Sequence, residues 1–283
     1  MANRPTERRA LRSLAERLTH RLVVPRRLPP PFETSRIYVS SEGGLKYLRP
    51  SLVGADPVLT NLVAEVVRPG SVVWDVGANV GLFAFAAACA ATASGTVVAF
   101  EPDTWLVELL RRSARLAERA TDQARVDIVS AAVCASVGLT RFNVASRSRA
   151  TSHLAGFGNN QTGGTRFAQL VPAFTLDHLL AHLPAPDVLK IDVEGAEETV
   201  LQGGARMLSE VRPTIICEVA APNADPVGVL LRAHGYRIVD GALAPTTRRP
   251  LASAPWTTLA APDGALASAR PAPARIAHTA ARS

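Results

Sequence analysis

A carboxylate followed by two glycines is the first spacing in this sequence that could do chemistry. Residues 71–82 read SVVWDVGANVGL: apolar residues lead to Asp75, Gly77 and Gly81 bracket a turn, and an Ala-rich helical pattern follows. Such a continuous apolar run indicates a strand buried on both faces of a parallel sheet. Asp75 then lies at the strand edge where open α/β sheets bind ligands, and the glycines allow a ligand to approach the backbone closely.

Asn79 distinguishes this turn from a dinucleotide-binding turn. A dinucleotide fold has the pattern G-x-G-x-x-G, whereas the residues from Gly77 read G-A-N-V-G, with Asn79 in place of the second glycine. The carboxylate of Asp75 would also repel a phosphate. The site therefore favours a ligand with positive charge, such as the ammonium and sulfonium groups of S-adenosylmethionine (SAM).

Glu101 is the second acid at the end of an apolar segment. It follows residues 96–100 and lies 24 residues after Gly77, close to the separation of about 20 residues expected of an acid that binds ribose hydroxyls. From the residues alone, two interpretations stay open. One is a SAM site, and the other is an α/β domain without a cofactor in which the glycines only form a turn.

The positive charge of the chain is concentrated at its two ends. Residues 1–36 carry +6 and residues 261–283 carry +2 of the net charge of +7, so residues 37–260 carry −1. A protein that follows a phosphate backbone needs a basic face on its folded body. We therefore expect no nucleic-acid partner. Hydrophobic residues make up 47% of the chain, which excludes a wholly disordered protein.

Cysteine usage and hydropathy indicate the compartment. Cys89, Cys134 and Cys217 lie in apolar segments without C-x-x-C spacing, as expected of reduced core residues. We predict a cytoplasmic protein with no bound metal. No apolar run approaches the ~20 residues of a membrane span. Leucines at helical spacing among arginines in residues 8–22 leave contact with an anionic membrane surface open, although docking on the body or on a partner is favoured.

The elements that must position these residues alternate between strands and helices. This alternation predicts an α/β fold with a doubly wound, mostly parallel sheet and helices on both faces. We expect a basic, partly helical extension over residues 1–36, a domain over 37–260, and a disordered Ala/Pro/Arg tail from 261 to 283. Residues 151–165, rich in Gly, Asn and Thr, predict a lid, a binding loop or a disordered segment.

A second group of acids follows two further apolar segments. Residues 188–198 read VLKIDVEGAEE, so Asp192 ends a predicted strand, and Glu194 with Gly195 is predicted to begin a helix whose early acids suit its N-terminal dipole. Residues 214–219 show the same pattern, an apolar segment that leads to an acid, here Glu218. Because parallel strands end at one edge of a sheet, these acids are candidates for the same site.

The sequence resembles the FkbM family of SAM-dependent methyltransferases. The resemblance rests on WDVGANVG (74–81), FEP (100–102), LKIDVEGAEETVLQG (189–203) and the segment 213–218, and it covers about residues 70–240. It implies a class I methyltransferase (Rossmann-like) fold, a seven-stranded sheet whose last strand is antiparallel and begins at Leu243 or beyond. It also implies O-methylation of a hydroxyl on a small metabolite, such as a sugar or a polyketide.

The resemblance also assigns cofactor contacts. It places the methionine part of SAM near Asp75, Gly77, Asn79 and Gly81, the ribose near Glu101, and the adenine near Ser130 and Ala131. The region before Trp74 and the loop 151–165 match the family less closely, and we expect them to determine the choice of substrate.

Methyl transfer to a hydroxyl requires alignment and a proton acceptor. Asp192 is the first candidate base because it ends a central strand beside the expected methyl donor, and Glu194, Glu218 and His153 follow. Each has an alternative. Asp192 could position the SAM ammonium or the substrate without moving a proton, and Glu194 could serve only the N-terminus of the predicted helix. Glu218 could be structural, and His153, which rests only on its place in the loop, could be a surface histidine. A magnesium ion shared by Asp192 and Glu218 is a further alternative that we do not favour.

Two other classes of function stay open. The same fold could methylate RNA or protein, with the Arg-rich N-terminus binding the RNA, although the near-neutral body argues against this. A binding protein that kept the fold without catalysis is the other alternative. The intact Asp75, Gly77, Gly81, Glu101 and Asp192 argue against that.

Overall fold

Strands and helices alternate along much of the described chain. A computed structural model describes residues 22–118, 121–146, 148–157 and 163–262. Within these residues the strands are β1 (Val23–Arg27), β2 (Arg36–Ser40), β3 (Val72–Val76), β4 (Thr96–Phe100), β5 (Arg125–Val129), β6 (Ala132–Val133), β7 (Gly138–Ala145), β8 (His153–Leu154), β9 (Thr165–Phe174), β10 (Val188–Ile191), β11 (Thr214–Glu218), β12 (Tyr236–Asp240) and β13 (Thr257–Pro262). The α-helices are α1 (Pro57–Val66), α2 (Leu82–Ala91), α3 (Thr104–Ala117), α4 (Leu176–Leu180), α5 (Glu197–Gln202) and α6 (Ala224–Ala233).

The central sheet has seven strands in the order β12–β13–β11–β10–β3–β4–β5. β13 is antiparallel to both of its neighbours, and the other neighbouring strands pair in parallel. The doubly wound sheet and the antiparallel strand confirm the predicted class I methyltransferase fold. The antiparallel strand begins at Thr257, because the preceding residues contain Pro245, Pro250 and Pro255, which cannot donate to a sheet ladder.

Two apolar layers cover the faces of this sheet. Val73 and Val97 face the layer formed with α1, α2 and α3, whereas Trp74 and Val98 face the layer formed with α4, α5 and α6. Successive side chains of a strand point to opposite faces, so a strand covered on both faces is apolar at nearly all positions. This explains the apolar runs of the sequence. Asp75 in β3 and Lys190 in β10 are exceptions, and they pair with each other.

Acidic residues determine where two of the helices begin. The side chains of Asp56 and Asp103 accept hydrogen bonds from the first-turn N–H groups of α1 and α3, as N-caps do. The prediction that Glu194 begins a helix was wrong. Glu194 and Gly195 have φ values of +54° and +105°, so they form a turn, and α5 begins at Glu197.

A second sheet, of order β6–β9–β7–β8, packs beside the end of the central one. It takes up part of the predicted loop 151–165: a 3-10 turn covers residues 149–151, β8 covers residues 153–154, and β9 begins at Thr165. Residues 158–162 lie outside the described residues. The sequence did not predict β9, because several of its side chains are exposed and Pro172 interrupts its apolar pattern.

The folded domain begins before residue 37. β1 pairs with β2 in an antiparallel hairpin, and Leu28 and Phe32 are buried in the core, so the predicted boundary after residue 36 was wrong. The C-terminal boundary moves as well, since β13 continues to Pro262. The predicted basic helix and tail lie outside the described residues, apart from residue 22 and the end of β13. No helix in the described ranges has the length and apolar character needed to cross a membrane.

Candidate active site

The turn after β3 is fixed by hydrogen bonds to residues of the neighbouring strands β4 and β10. The N–H groups of Gly77 and Ala78 donate to the Phe100 carbonyl at 3.0 and 3.1 Å, and Nζ of Lys190 donates to the Gly77 carbonyl at 2.8 Å. Gly77 has φ +79°, and a Cβ at this position would lie 1.8 Å from the carbonyl oxygen of Asp192. Only glycine lets the two chain segments approach so closely.

Asp75 and Lys190 form a buried ion pair beneath this turn. Asp75 is 0% exposed and Lys190 is 3% exposed, and Nζ of Lys190 lies 3.0 Å from Oδ1 of Asp75 and 3.6 Å from Oδ2 of Asp192. Burial raises the pKa of Asp75, against the effect of Lys190. Burial lowers the pKa of Lys190, but the carboxylates of Asp75 and Asp192 outweigh it and the pKa rises. Lys190 therefore stays charged and links Asp75 to the turn.

The first cavity opens above the turn, at the carboxyl ends of β3, β4 and β5. Its lining includes Gly77, Asn79, Glu101, Ala131, Asp192 and Glu194. Glu101 is buried, and its two carboxylate oxygens accept hydrogen bonds from the N–H groups of Asn79 at 2.8 Å and Asp103 at 2.9 Å. Burial raises the pKa of Glu101 to about 8. The carboxylate is thus fixed in orientation on the cavity wall.

The second cavity adjoins the first and has a volume of about 350 Å³. Asn79, Asp192 and Glu194 line both cavities. The second cavity adds ionisable side chains from four elements of the fold: Lys46, Tyr47, Asp56, Lys190 and Glu218. A ligand in one cavity would therefore meet a ligand in the other at Asp192 and Glu194.

Glu194 and Glu218 have pKa values above those of an ordinary glutamate. Burial, followed by the charges of Asp192, Glu218 and Glu197, raises the pKa of Glu194 to about 8. Burial, followed by Asp192, raises the pKa of Glu218 to about 7. A carboxyl group whose pKa lies near neutrality is suited to accept a proton in catalysis.

Tyr47 contributes a buried hydroxyl to the second cavity. Tyr47 is 4% exposed and lies on the 3-10 turn Leu45–Leu48. Nζ of Lys46 lies 5.3 Å from the centroid of the Tyr47 ring. Burial, together with the carboxylates of Asp56, Asp192 and Glu218, raises the pKa of Tyr47. Tyr47 therefore stays protonated and can donate a hydrogen bond into the cavity.

Arg149 closes one wall of the first cavity. Its Nη1 lies 2.7 Å from Oδ2 of Asp103, and its Nε lies 2.8 Å from Oε2 of Glu42. The guanidinium also lies 5.4 Å from the Trp105 ring centroid and 5.7 Å from that of Phe167. These contacts tie the segment before β8 to the start of α3. Ser152 and Leu154, which lie within the predicted loop 151–165, also line this cavity.

The structure brings together most, but not all, of the residues that the sequence proposes. Gly77, Asn79, Glu101, Ala131, Asp192 and Glu194 line the first cavity, and Glu218 lines the second. Asp75 lies beneath the turn. A Cβ on Gly81 would come within 2.8 Å of Phe85 and Leu110, so this glycine serves packing. Ser130 and His153 line neither cavity; His153 lies in β8 with Nδ1 3.2 Å from the Thr151 carbonyl, away from the candidate base position.

Sequence reasoning missed Lys190, Tyr47 and Arg149. A signal for Lys190 existed, because the chain has only two lysines, Lys46 and Lys190, and both line the second cavity. Tyr47 and Arg149 lie in segments with no motif, so nothing in their local sequence marks them.

Comparison with known proteins identifies the family. Residues 75–238 match the methyltransferase FkbM domain. The chain belongs to the FkbM methyltransferase family. A curated relative, the hexuronic acid methyltransferase AglP of Haloferax volcanii, is 29% identical over 170 residues, which are 59% of this chain and 63% of the relative. The match thus spans less than two thirds of that relative's length.

Two solved methyltransferase structures are also similar to this FkbM chain. Methyltransferase FkbM from Methylobacillus flagellatus KT is 14% identical with a TM-score of 0.42, over 74% of this chain and 59% of that one. Precorrin-6y C5,15-methyltransferase from Geobacter metallireducens GS-15 is 15% identical with a TM-score of 0.41, over 77% and 88%. Family membership rests on the match over residues 75–238.

The first cavity fits the cofactor of this family, SAM. Glu101 presents an oriented carboxylate, as a ribose diol requires. Gly77 leaves the wall free of a side chain where a Cβ would collide with Asp192, and the buried Oδ1 of Asn79 has no hydrogen-bond partner among the described residues. An oxygen left in this state costs free energy unless a ligand donates to it. SAM has suitable donors in its ammonium and hydroxyl groups.

Proposed function

We propose that this chain methylates a hydroxyl group of a small, polyhydroxylated metabolite with SAM as the methyl donor. The observation that carries the proposal is the junction of two cavities at Asp192 and Glu194. One cavity presents the cofactor motif of the family, and the other presents hydrogen-bonding side chains from elements outside that motif. The curated relative named as a hexuronic acid methyltransferase supports a sugar-like acceptor.

The cofactor contributes one thing to this chemistry. When bound, SAM supplies a methyl group on a sulfonium, whose carbon–sulfur bond breaks with its electron pair staying on sulfur. Gly77, Asn79 and Glu101 would hold it in the first cavity. Much of the rate of such a displacement comes from alignment of the acceptor oxygen with the methyl carbon.

Glu194 is the proton acceptor that we assign in this reaction, ahead of Asp192. The acceptor hydroxyl forms an oxygen–carbon bond and must release its proton, which passes to a carboxylate. The carboxylate of Asp192 is already engaged, since Lys190 Nζ lies 3.6 Å from it. Glu194 has no hydrogen bond or ion pair among the described side chains, and burial raises its pKa to about 8. Asp192 is then suited to position the acceptor.

Calorimetry followed by turnover tests the proposal. We expect S-adenosylhomocysteine and SAM to bind the purified protein with micromolar Kd values. Incubation with methyl-labelled SAM and a panel of monosaccharides and glycosides should then transfer the label to an O-methyl product, identified by mass spectrometry and NMR. Failure of both ligands to bind a folded protein would refute the proposal. Transfer of the label only to RNA or protein would refute the assigned substrate class.

A further inference from the structure

A third cavity lies on the far side of the carboxylates from the cofactor cavity. It has a volume of about 230 Å³ and continues the second cavity past Asp192, Glu194 and Glu218, which line both. Its remaining wall combines acidic, amide and aromatic groups, among them Phe157, Glu197, Asn223 and Trp256. The family motif supplies Asp192 and Glu194, but Trp256 lies beyond the matched residues 75–238.

The third cavity is lined by acidic groups, two of which have neither an ion pair nor a hydrogen bond in the described part of the chain. Four carboxylates line it, and no lysine or arginine does so among the described residues. Lys190 pairs with Asp192, and Glu197 accepts hydrogen bonds from Gly195 N–H and from the amide of Asn223. Glu194 and Glu218 have no such partner in the described part of the chain. Both are partly buried, and a cationic ligand could pair with such carboxylates.

Two further observations indicate that a ligand occupies this region. Tyr47 is only 4% exposed and lines the second cavity, and its hydroxyl makes no hydrogen bond to the described residues. Trp256 is 60% exposed, although its carbonyl is fixed by the N–H of Val219 at 2.9 Å. The backbone of Trp256 is thus anchored while its side chain stays exposed beside carboxylates, and an indole in such a place can bind cations and ring faces.

We propose that the second and third cavities bind an acceptor that carries a protonated amine, such as an amino sugar, with the amine between Glu218 and Trp256. The inference rests on the proposed methyltransferase function and names its substrate class. A protonated amine has no lone pair to attack a methyl group, so it only anchors the acceptor. A hydroxyl of the same molecule takes the methyl group and gives its proton to Glu194. Tyr47 donates a hydrogen bond to another oxygen of the ring.

The charge of the cofactor accounts for only one of these two carboxylates. SAM has an ammonium and a sulfonium but also a carboxylate, so it brings one net positive charge to the first cavity. Glu194, which lines that cavity, can balance it. Glu218 and Trp256 line no part of the first cavity and so remain for the acceptor. A hexuronate, the acceptor named for the curated relative, would be repelled here.

Three matched sugars test the inference: methyl glucosaminide, methyl glucoside and methyl glucuronide, which are cationic, neutral and anionic near neutral pH. Their Kd values are measured by ligand-observed NMR on the protein saturated with S-adenosylhomocysteine. We expect the glucosaminide to bind about tenfold more tightly than the glucoside, as a charge-assisted contact allows, and the glucuronide to bind most weakly. A glucuronide that binds as tightly as the glucosaminide would overturn the inference.

Variants locate the amine. Glu218→Gln should reduce the preference for the glucosaminide over the glucoside by about tenfold, and Trp256→Ala should weaken both sugars. Both variants should keep the wild-type Kd for S-adenosylhomocysteine, which also shows that they are folded. Glu108→Gln, an exposed carboxylate on α3, is the matched control. An unchanged preference in Glu218→Gln refutes the inference alone, whereas failure of the wild type to bind S-adenosylhomocysteine refutes the proposed function.

Discussion

Nζ of Lys190 lies 3.0 Å from Oδ1 of Asp75, and both side chains are almost completely buried beneath the cofactor turn. Asp75 is therefore a positioning residue in this structure. It holds Lys190, whose Nζ donates to the Gly77 carbonyl at 2.8 Å. Asp75, the first residue of the family match, thus acts on the glycine turn through a lysine on the neighbouring strand.

Lys190→Met should destabilise the protein by about 3–5 kcal/mol, because it leaves the carboxylate of Asp75 buried without a cation. Denaturation in urea measures the loss. The double variant Asp75→Asn/Lys190→Met should recover part of it. Lys46→Met is the control, since the pair of Lys46 with Asp56 is partly exposed and should contribute only about 0–1 kcal/mol. Equal losses in the two lysine variants would contradict the buried pair.

Gly77→Ala should be far more damaging than Gly156→Ala, although both glycines have positive φ values, +79° and +93°. A Cβ on Gly156 meets nothing within 4 Å, so only the left-handed backbone costs free energy, about 1–2 kcal/mol. At Gly77 the Cβ collides with the Asp192 backbone, and we expect a loss above about 4 kcal/mol. Thermal denaturation compares them, and similar losses would show that the turn can open.

Glu101→Gln should raise the Kd for SAM at least about tenfold. The carboxylate accepts from two N–H groups, those of Asn79 and Asp103, and the amide of glutamine would place a donor against one of them. Calorimetry gives the Kd, with Glu108→Gln as the control for a loss of charge. An unchanged Kd would remove Glu101 from the cofactor site.

The activity should depend on pH through Glu194. Only an ionised carboxylate accepts a proton, and the pKa of Glu194 is raised to about 8. With a neutral sugar as acceptor, kcat/KM should rise with pH below about 8 and level off above it. Glu194→Gln should lower turnover much more than SAM affinity and remove the rise. The same pH profile in that variant would assign the proton transfer to another group, with Asp192→Asn the next variant to measure.

The stability of the ligand-free protein should fall between about pH 5 and pH 8. The pKa values of Glu101, Glu194 and Glu218 are raised to about 8, 8 and 7, so the folded state keeps protons that the unfolded state releases above about pH 4.3. The free energy of unfolding decreases with rising pH wherever the folded state binds more protons than the unfolded state does. Urea denaturation across this range should show a smaller decline in Glu194→Gln/Glu218→Gln, and equal declines would contradict the raised pKa values.

Local patterns explain what could be predicted from the sequence. The apolar runs that end at Asp75, Glu101, Asp192 and Glu218 specify buried parallel strands, because both faces of each strand are covered. The caps at Asp56 and Asp103 follow from the same local chemistry. The hairpin of residues 23–40 and the strand β9 could not be read in this way, since exposed side chains leave no clear period of two.

The sequence by itself determined the sheet, the glycine turn and the family, because these depend on residues that are close together in the chain. The tertiary structure decided which side chains share a cavity. Tyr47, Glu194 and Trp256 come from segments more than 60 residues apart, and no periodic pattern links them. Only the order of the strands and the packing of the N-terminal turns bring such residues to one edge of the sheet, and those contacts are set by the burial of the whole chain.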